Sequence, residues 1–151
     1  MIRTDREYQE ALDRLERDRD VIKRQRARLE ELKLGHADVQ RALEPTLAFH
    51  EQLVEEVDAY DRMRRGDIDS VWSLAEIGRI LIGLRIAAGL TQRELAKRLE
   101  VAESQVSRDE RNDYHGISVD RAAVVIQAIG GSVEVRAQPP ERSKSRDFAP
   151  A

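Results

Sequence analysis

The feature that most constrains this chain is a close series of helix start and stop signals in its second half. Ser73 with Glu76, and Thr91 with Glu94, each have the spacing of a capping box, in which two side chains satisfy free backbone amides at a helix start. Gly89 stands just before the second box, at a position that suits a helix stop. The series predicts several short helices whose mutual angles are fixed by their ends.

Apolar residues flank these signals in pairs that fit the hydrophobic staple, in which a residue before the cap packs against one in the first turn. The pairs are Trp72 with Ile77, Leu90 with Leu95, and Val101 with Val106. Three-to-four spacing then predicts the buried face of the first helix. Its members are Ile77, Ile80, Leu81, Leu84 and Ala88. A last helix, capped by Ser118 and ended by Gly130, carries Val119, Ala122, Val125, Ile126 and Ile129.

Composition favours an all-α fold and argues against several classes of function. Charged residues make up 36% of the 151 residues and aromatic residues 4%, which is typical of helices rather than of a sheet-built core. The absence of cysteine excludes disulfides and thiolate metal sites. The three histidines are scattered, and neither a glycine-rich phosphate loop nor a serine nucleophile elbow occurs. We therefore expect no enzymatic activity, no metal and no cofactor.

Two of the expected helices have the arrangement of a helix-turn-helix. The helix that starts at Thr91 is separated from one that starts near Glu103 by the short turn Glu100-Val101-Ala102. Ala96 is small enough for two helix backbones to cross closely. The second helix then presents donors and acceptors of the kind that recognise base edges in the major groove. They are Glu103, Ser104, Gln105, Ser107, Arg108 and Arg111.

The run from Leu90 to Arg111 resembles the helix-turn-helix of the Cro/C1-type regulators, also called the Xre family. With its flanking helices, the resemblance covers about half the chain and extends through Ile117 to Ile129. It implies a five-helix DNA-binding domain and a sequence-specific transcriptional regulator. Two positions depart from the family pattern: Glu100 stands where the turn usually has glycine, and Asp109 where an apolar residue is common. A left-handed backbone at Glu100 would cost roughly 1–2 kcal/mol.

The resemblance also implies roles for individual residues. Gln92 would contact a phosphate or a base edge, and Thr91 would cap its helix. In the major groove Gln105 suits adenine, Arg108 suits guanine and Glu103 accepts from cytosine, with Ser104 beside them. Candidate contacts to the DNA backbone are Arg93, Lys97, Arg111, Asn112, Tyr114 and His115. Glu103 is equally well explained as a solvated charge or a filter against wrong bases, and Tyr114 and His115 as loop packing.

The first region, residues 1–66, is predicted to form an antiparallel helical hairpin with a coiled-coil-like seam. A capping box at Thr4 and Glu7 precedes a heptad of Tyr8, Leu15, Ile22 and Leu29, in which Arg19 and Arg26 occupy the other seam positions. Leu34-Gly35 is the expected stop, and Pro45 either starts the second helix or kinks one begun near Ala37. Because so narrow a seam buries little, we expect the hairpin to pack on a second copy or on a partner.

Two segments of the hairpin are similar to parts of HigA-type antitoxins: Ile2–Tyr8 with Ala11-Leu12, and Leu53–Tyr60. This looser resemblance implies a protein that neutralises a ribosome-dependent RNA-cleaving toxin and represses its own operon. Two alternatives stay open. One is a protein-interaction module whose hairpin binds a partner, and the other is a stand-alone repressor without a toxin.

The remaining expectations concern domains, charge and assembly. The domain from 67 to 137 is followed by a disordered tail, 138–151. Ser132–Arg136 alternates polar and apolar residues, which fits a short strand that pairs with its copy in a dimer, or an extended segment that packs two valines. The acidic net charge of -3 predicts modest non-specific affinity. We expect a homodimer on a palindromic operator, with recognition helices ~34 Å apart. We also expect a cytoplasmic, nucleoid-associated location.

Overall fold

A computed structural model describes residues 1–71 and 73–138, and every regular element in these ranges is helical. The predicted all-α fold is confirmed. The elements are α1 (Asp5–Glu31), α2 (His36–Arg64), a 3-10 turn (Leu74–Glu76), α3 (Ile77–Ala87), α4 (Gln92–Arg98), α5 (Glu103–Arg111) and α6 (Val119–Ile129). The 3-10 turn and α3 to α6 are the five helical segments expected after residue 67. Among these elements no helix is long and apolar enough to cross a membrane.

Helices α1 and α2 form the predicted hairpin. The capping box at its start is present, because the Thr4 hydroxyl accepts from the Glu7 amide at 3.2 Å and the Glu7 carboxylate accepts from the Thr4 amide at 3.2 Å. The expected stop at Gly35 is wrong. The chain leaves α1 at Lys33, which has a φ of 54°, whereas Gly35 has an ordinary φ of -63° and begins α2. A left-handed residue ends a helix wherever it falls, and here it is a lysine.

Proline lies inside α2 instead of at its start. The helix begins at His36, near the expected Ala37, and continues through Pro45, so the prediction that Pro45 starts the helix is wrong. A proline in a helix interior removes one backbone hydrogen bond.

One hydrophobic core joins the base of the hairpin to the helices that follow. Its buried members are Ile2, Ala11, Leu15, Val57, Tyr60, Leu81, Ile82, Ile86, Leu95, Ala96, Val106, Tyr114, Ala122, Val125 and Ile129. In the hairpin, the buried side chains of this core therefore come from the first half of α1 and the second half of α2. The far half of the hairpin, residues 19–50, contributes none of these side chains.

Helix α3 lies at the centre of this core. It packs against α2 and against α6, so its buried face is wider than one amphipathic stripe. Leu81, Ile82 and Ile86 are buried, and Arg85 lies among them. Of the face expected from three-to-four spacing, only Leu81 is fully buried, and Ala88 is exposed. The spacing rule assumes one neighbouring surface, and α3 has two.

The start and stop signals of the second half are largely where the sequence indicates. Thr91 and Glu94 form a complete capping box, and Gly89 and Gly130 end their helices with φ of 67° and 85°. Ser73 departs from expectation: its hydroxyl accepts from the Ala75 amide and starts the 3-10 turn, so the predicted box with Glu76 is absent. The staple predicted between Trp72 and Ile77 lies outside the described residues.

Residues 131–138 have no regular secondary structure in this single chain. Val133 is half-buried and Val135 is 65% exposed, so only one of the two valines packs on the domain. The predicted strand at Ser132–Arg136 stays a prediction that depends on a second copy. The predicted disordered tail lies outside the described residues from position 139 onward.

Candidate nucleic-acid interface

Helices α4 and α5 are joined by a tight turn that determines how α5 is presented. The Val101 amide donates to the Ala96 carbonyl at 3.0 Å, which folds the chain back over the end of α4. Ala96 is 2% exposed and Val106 on α5 is 1% exposed. The small side chain at Ala96 and the apolar residue at Val106 therefore both lie in the core, as the crossing of two helices requires.

Glu100, which stands where the turn of the resembled family usually has glycine, adopts the left-handed conformation. Its φ is 56°, and the residue sits between the end of α4 and the turn. A Cβ atom in this region costs roughly 1–2 kcal/mol. The turn of this chain therefore keeps the shape that glycine ordinarily permits, at a cost in stability.

The residues proposed to contact bases lie along one side of α5. Glu103, Ser104 and Arg108 are exposed, and Gln105 and Ser107 are half-buried. Gln105 donates from its amide nitrogen to the Asp109 carboxylate at 2.8 Å and accepts from an Arg108 guanidinium nitrogen at 3.0 Å. Asp109, an unexpected residue at its position, therefore orients Gln105. The result is a continuous row of donors and acceptors on the helix surface.

Behind this surface lies a buried ion pair that the sequence did not reveal. Arg85 of α3 and Glu110 of α5 are 3% and 0% exposed in their side chains and share two hydrogen bonds, one of them 2.7 Å long. Arg85 also donates to the carbonyls of Leu90 at 2.7 Å and Arg3 at 2.9 Å. One guanidinium therefore joins α5 to the turn before α4 and to the N-terminal segment.

Gln92 belongs to the same network. Its amide nitrogen donates to Glu110 at 2.8 Å, so the side chain at the start of α4 is held against α5. The resemblance implied a Gln92 side chain aimed at DNA, and its amide group has a protein partner in the free chain. Gln92 therefore couples the placement of α4 to that of α5, whichever group it contacts in a complex.

The candidate backbone contacts divide into two groups. Arg93, Lys97, Arg111, Asn112 and His115 are exposed and free to approach phosphates. Tyr114 is 7% exposed and lies in the core, and burial raises the pKa of its hydroxyl well above the ordinary range. Loop packing is therefore the role that its position supports.

A glycine in α3 permits the close approach of the loop after α5. A Cβ atom built on Gly78 would lie 1.8 Å from the carbonyl oxygen of Asp113, which excludes any larger residue at the present backbone positions. Arg3 holds the same loop through an ion pair with Asp113 at 3.0 Å. An isolated glycine inside an apolar helical run is the one signal that could have indicated this contact.

The exposed surface of α5 carries fewer acidic side chains than the sequence around it contains. Glu110 is buried and paired with Arg85, so neither side chain faces solvent. Asp109 is half-buried and bonded to Gln105. Of the four acidic residues around α5, only Glu100 and Glu103 stay exposed, and the surface is less acidic than the sequence indicates.

Comparison with known proteins agrees with this geometry. Residues 69–138 match a family model described as a helix-turn-helix domain. This part of the chain is a helix-turn-helix domain. The matched residues begin just before the 3-10 turn and include α3 to α6. A domain of this kind supports a role for the protein as a DNA-binding regulator. No curated protein and no solved structure matches the chain.

Proposed function

We propose that the protein is a sequence-specific regulator of transcription that inserts α5 into the major groove of double-stranded DNA. The observation that carries this proposal is the row formed by Arg108, Gln105 and Asp109 on the surface of α5. An amide and a guanidinium already fixed by neighbours lose little rotamer freedom on binding. Glutamine paired to adenine and arginine paired to guanine are the contacts that best distinguish base pairs.

The surroundings of α5 supply positions for phosphate contacts. Arg93, Lys97, Arg111 and Asn112 are exposed near the two helices of the motif. Arg64 of the hairpin lines the same cleft as Thr91 and Gln92, close to where the DNA backbone would pass. Such contacts set the register of the protein without reading sequence.

We further propose that the protein acts as a homodimer on a palindromic site. The exposed Glu100 and Glu103 offset part of the positive charge around α5, so a single domain would gain only modestly from the release of counterions. Two linked domains spaced by one turn of DNA, ~34 Å, would combine their contacts on one operator. Dimerisation therefore compensates for the modest charge of each recognition surface.

The finer role that we propose is that of a HigA-like antitoxin that represses its own operon. The two segments that resemble such antitoxins pack on one another at the base of the hairpin. The rings of Tyr8 and Tyr60 stack at 5.2 Å, the Tyr8 hydroxyl donates to Asp61 at 3.1 Å, and the Tyr60 hydroxyl donates to Asp5 at 3.0 Å. A toxin reading frame beside the gene, and co-purification of a small basic protein, would support this role. A solitary gene whose product purifies alone would favour a stand-alone repressor.

The central experiment is a footprint on the protein's own promoter. Wild type is expected to protect a palindromic site, and the double variant Gln105→Ala with Arg108→Ala is expected to lose that protection, by about tenfold or more in affinity. The matched control is Gln40→Ala with Arg41→Ala, which removes the same side chains from exposed positions at the far end of the hairpin. Equal protection by all three proteins would contradict the roles of Gln105 and Arg108. Absence of protection by wild type would contradict regulation at this promoter.

A further inference from the structure

The far half of the hairpin is poorly covered by its own chain. Beyond the shared core, only Val39 and Leu43 are buried in it, at 6% and 1% exposure. Leu32 and Phe49 are 65% and 67% exposed. The seam between α1 and α2 therefore buries two side chains in this half and leaves large apolar side chains exposed beside it.

An open groove of about 460 Å³ runs between α1 and α2 in this half. Its apolar lining comes from Ile22, Ala27 and Leu47, and Arg19, Lys23 and Arg26 surround it on α1. Glu30 is the one acidic residue that lines it. None of the three basic side chains forms an ion pair among the described residues. The groove is therefore apolar inside and positively charged along one edge, and we call it the basic groove.

Helix α2 carries the opposite charge. From Ala42 to Asp61 it has no lysine or arginine. Glu44, Glu51, Glu55 and Asp58 are exposed, and their spacings of seven, four and three residues place them along one side of the helix. We call these four residues the acidic stripe. They too form no ion pair among the described residues.

We propose that a second copy of this chain occupies the basic groove with its acidic stripe, and that the hairpin is the dimer interface. The argument rests on self-complementarity. A two-fold interface forms every contact twice. The basic groove of each subunit would therefore receive the acidic stripe of the other subunit. An unrelated acidic partner would fill the groove and leave the stripe without counter-charges.

This proposal deepens the dimeric function proposed above and rests on it. It assigns the dimer contact to the N-terminal hairpin, away from α5, and leaves the recognition surface uncovered. It also gives a role to Arg19 and Arg26, which interrupt the apolar heptad of α1. Charged residues at such positions select the partner of a helix by attraction and by repulsion of wrong partners.

The test measures the dimer dissociation constant of the full chain by sedimentation without DNA. Wild type is expected to dimerise, and more weakly as salt is raised, because salt screens exposed charges. Arg19→Glu with Arg26→Glu, and separately Glu51→Lys with Glu55→Lys, are each expected to weaken the dimer by about tenfold or more through like-charge contacts. The protein with all four changes is expected to regain most of the lost affinity. The matched control, Arg17→Glu with Arg24→Glu, alters two exposed arginines with the same seven-residue spacing on the opposite side of α1.

Circular dichroism of each variant separates loss of the dimer from loss of the fold. A wild type that stays monomeric without DNA would overturn the proposal, as would a dimer that neither double reversal weakens. The latter result would move the interface elsewhere, with Ser132–Arg136 the first segment to examine. Failure of the regulatory function is seen separately, because a hairpin dimer that protects no promoter site would contradict DNA reading and leave this interface intact.

Discussion

The helix-turn-helix domain and the far half of the hairpin hold their shapes in different ways. In the domain, α3 to α6 are 7 to 11 residues long and enclose a core that contains the Arg85–Glu110 ion pair, and α3, α4 and α6 each begin at a side-chain cap or end at a glycine. In the hairpin, α1 and α2 are 27 and 29 residues long, and the half far from the core buries two side chains. The surface of α5 that we propose to read DNA is therefore fixed by contacts within one chain, whereas few buried contacts within the chain hold the far half of the hairpin.

The largest effect is expected from removal of one partner of the buried ion pair. Glu110→Ala leaves Arg85 charged in the core without its carboxylate and also releases Gln92. We expect the free energy of unfolding, measured in urea, to fall by about 3–5 kcal/mol. Glu103→Ala on the exposed side of the same helix is the control, with an expected change within about 0.5 kcal/mol.

A double variant sharpens this prediction. Arg85→Met with Glu110→Leu replaces both charges by apolar side chains of similar volume, and such exchanges are often neutral for stability. We therefore expect it to lose less than Glu110→Ala alone, and to bind DNA less specifically because Gln92 has lost its partner. If Glu110→Ala changes stability no more than the exposed control does, the ion pair does not hold the domain together.

The second prediction compares two leucines of equal burial in the two regions. Leu95 on α4 is 0% exposed and Leu43 on α2 is 1% exposed, but only Leu95 belongs to the shared core. Leu95→Ala is expected to lower the global free energy of unfolding by about 2–5 kcal/mol. Leu43→Ala is expected to leave that value nearly unchanged in the monomer, and to speed amide exchange only in residues near the far end of the hairpin.

Hydrogen exchange followed by mass spectrometry distinguishes the two results. Faster exchange throughout the chain in Leu43→Ala would mean that the hairpin and the domain unfold as one unit, and the contrast between the regions would fail. The comparison is made at low protein concentration, because a dimer through the hairpin would add stability to its far half.

The sequence predicted most accurately those features that short-range rules control. The capping boxes at Thr4 and Thr91 depend on residues three positions apart, and both are present in the structure. Lys33 shows the limit of such rules. It is the left-handed residue that ends α1, although the nearby Gly35 adopts that conformation more easily.

The pairing of Arg85 with Glu110 could not be predicted in the same way. The two residues are separated by 25 positions, and no local pattern links Arg85, a single charge in the apolar run of α3, to Glu110 in the charged sequence of α5. Only the packing of α3 against the rest of the domain places them together. The same ion pair explains why Gln92 is fixed, and why the surface of α5 is less acidic than its sequence.

The smallest effect is expected at the turn between α4 and α5, where a residue other than glycine has a left-handed backbone. Glu100→Gly removes a Cβ atom from a left-handed residue with a φ of 56°. Glycine also adds freedom to the unfolded chain, so we expect a net gain in stability of about 1 kcal/mol or less. Because the turn already has the shape that glycine favours, DNA affinity should change little.

A matched substitution separates backbone strain from charge at this position. Glu100→Ala removes the carboxylate and keeps the Cβ atom, so it should give no gain in stability if strain is the cause. If alanine stabilises the protein as much as glycine does, repulsion between Glu100 and nearby acidic groups is the cause instead. If Glu100→Gly raises DNA affinity strongly, the turn in the free chain is not yet in its DNA-binding shape, and the domain is less preorganised than its buried ion pair indicates.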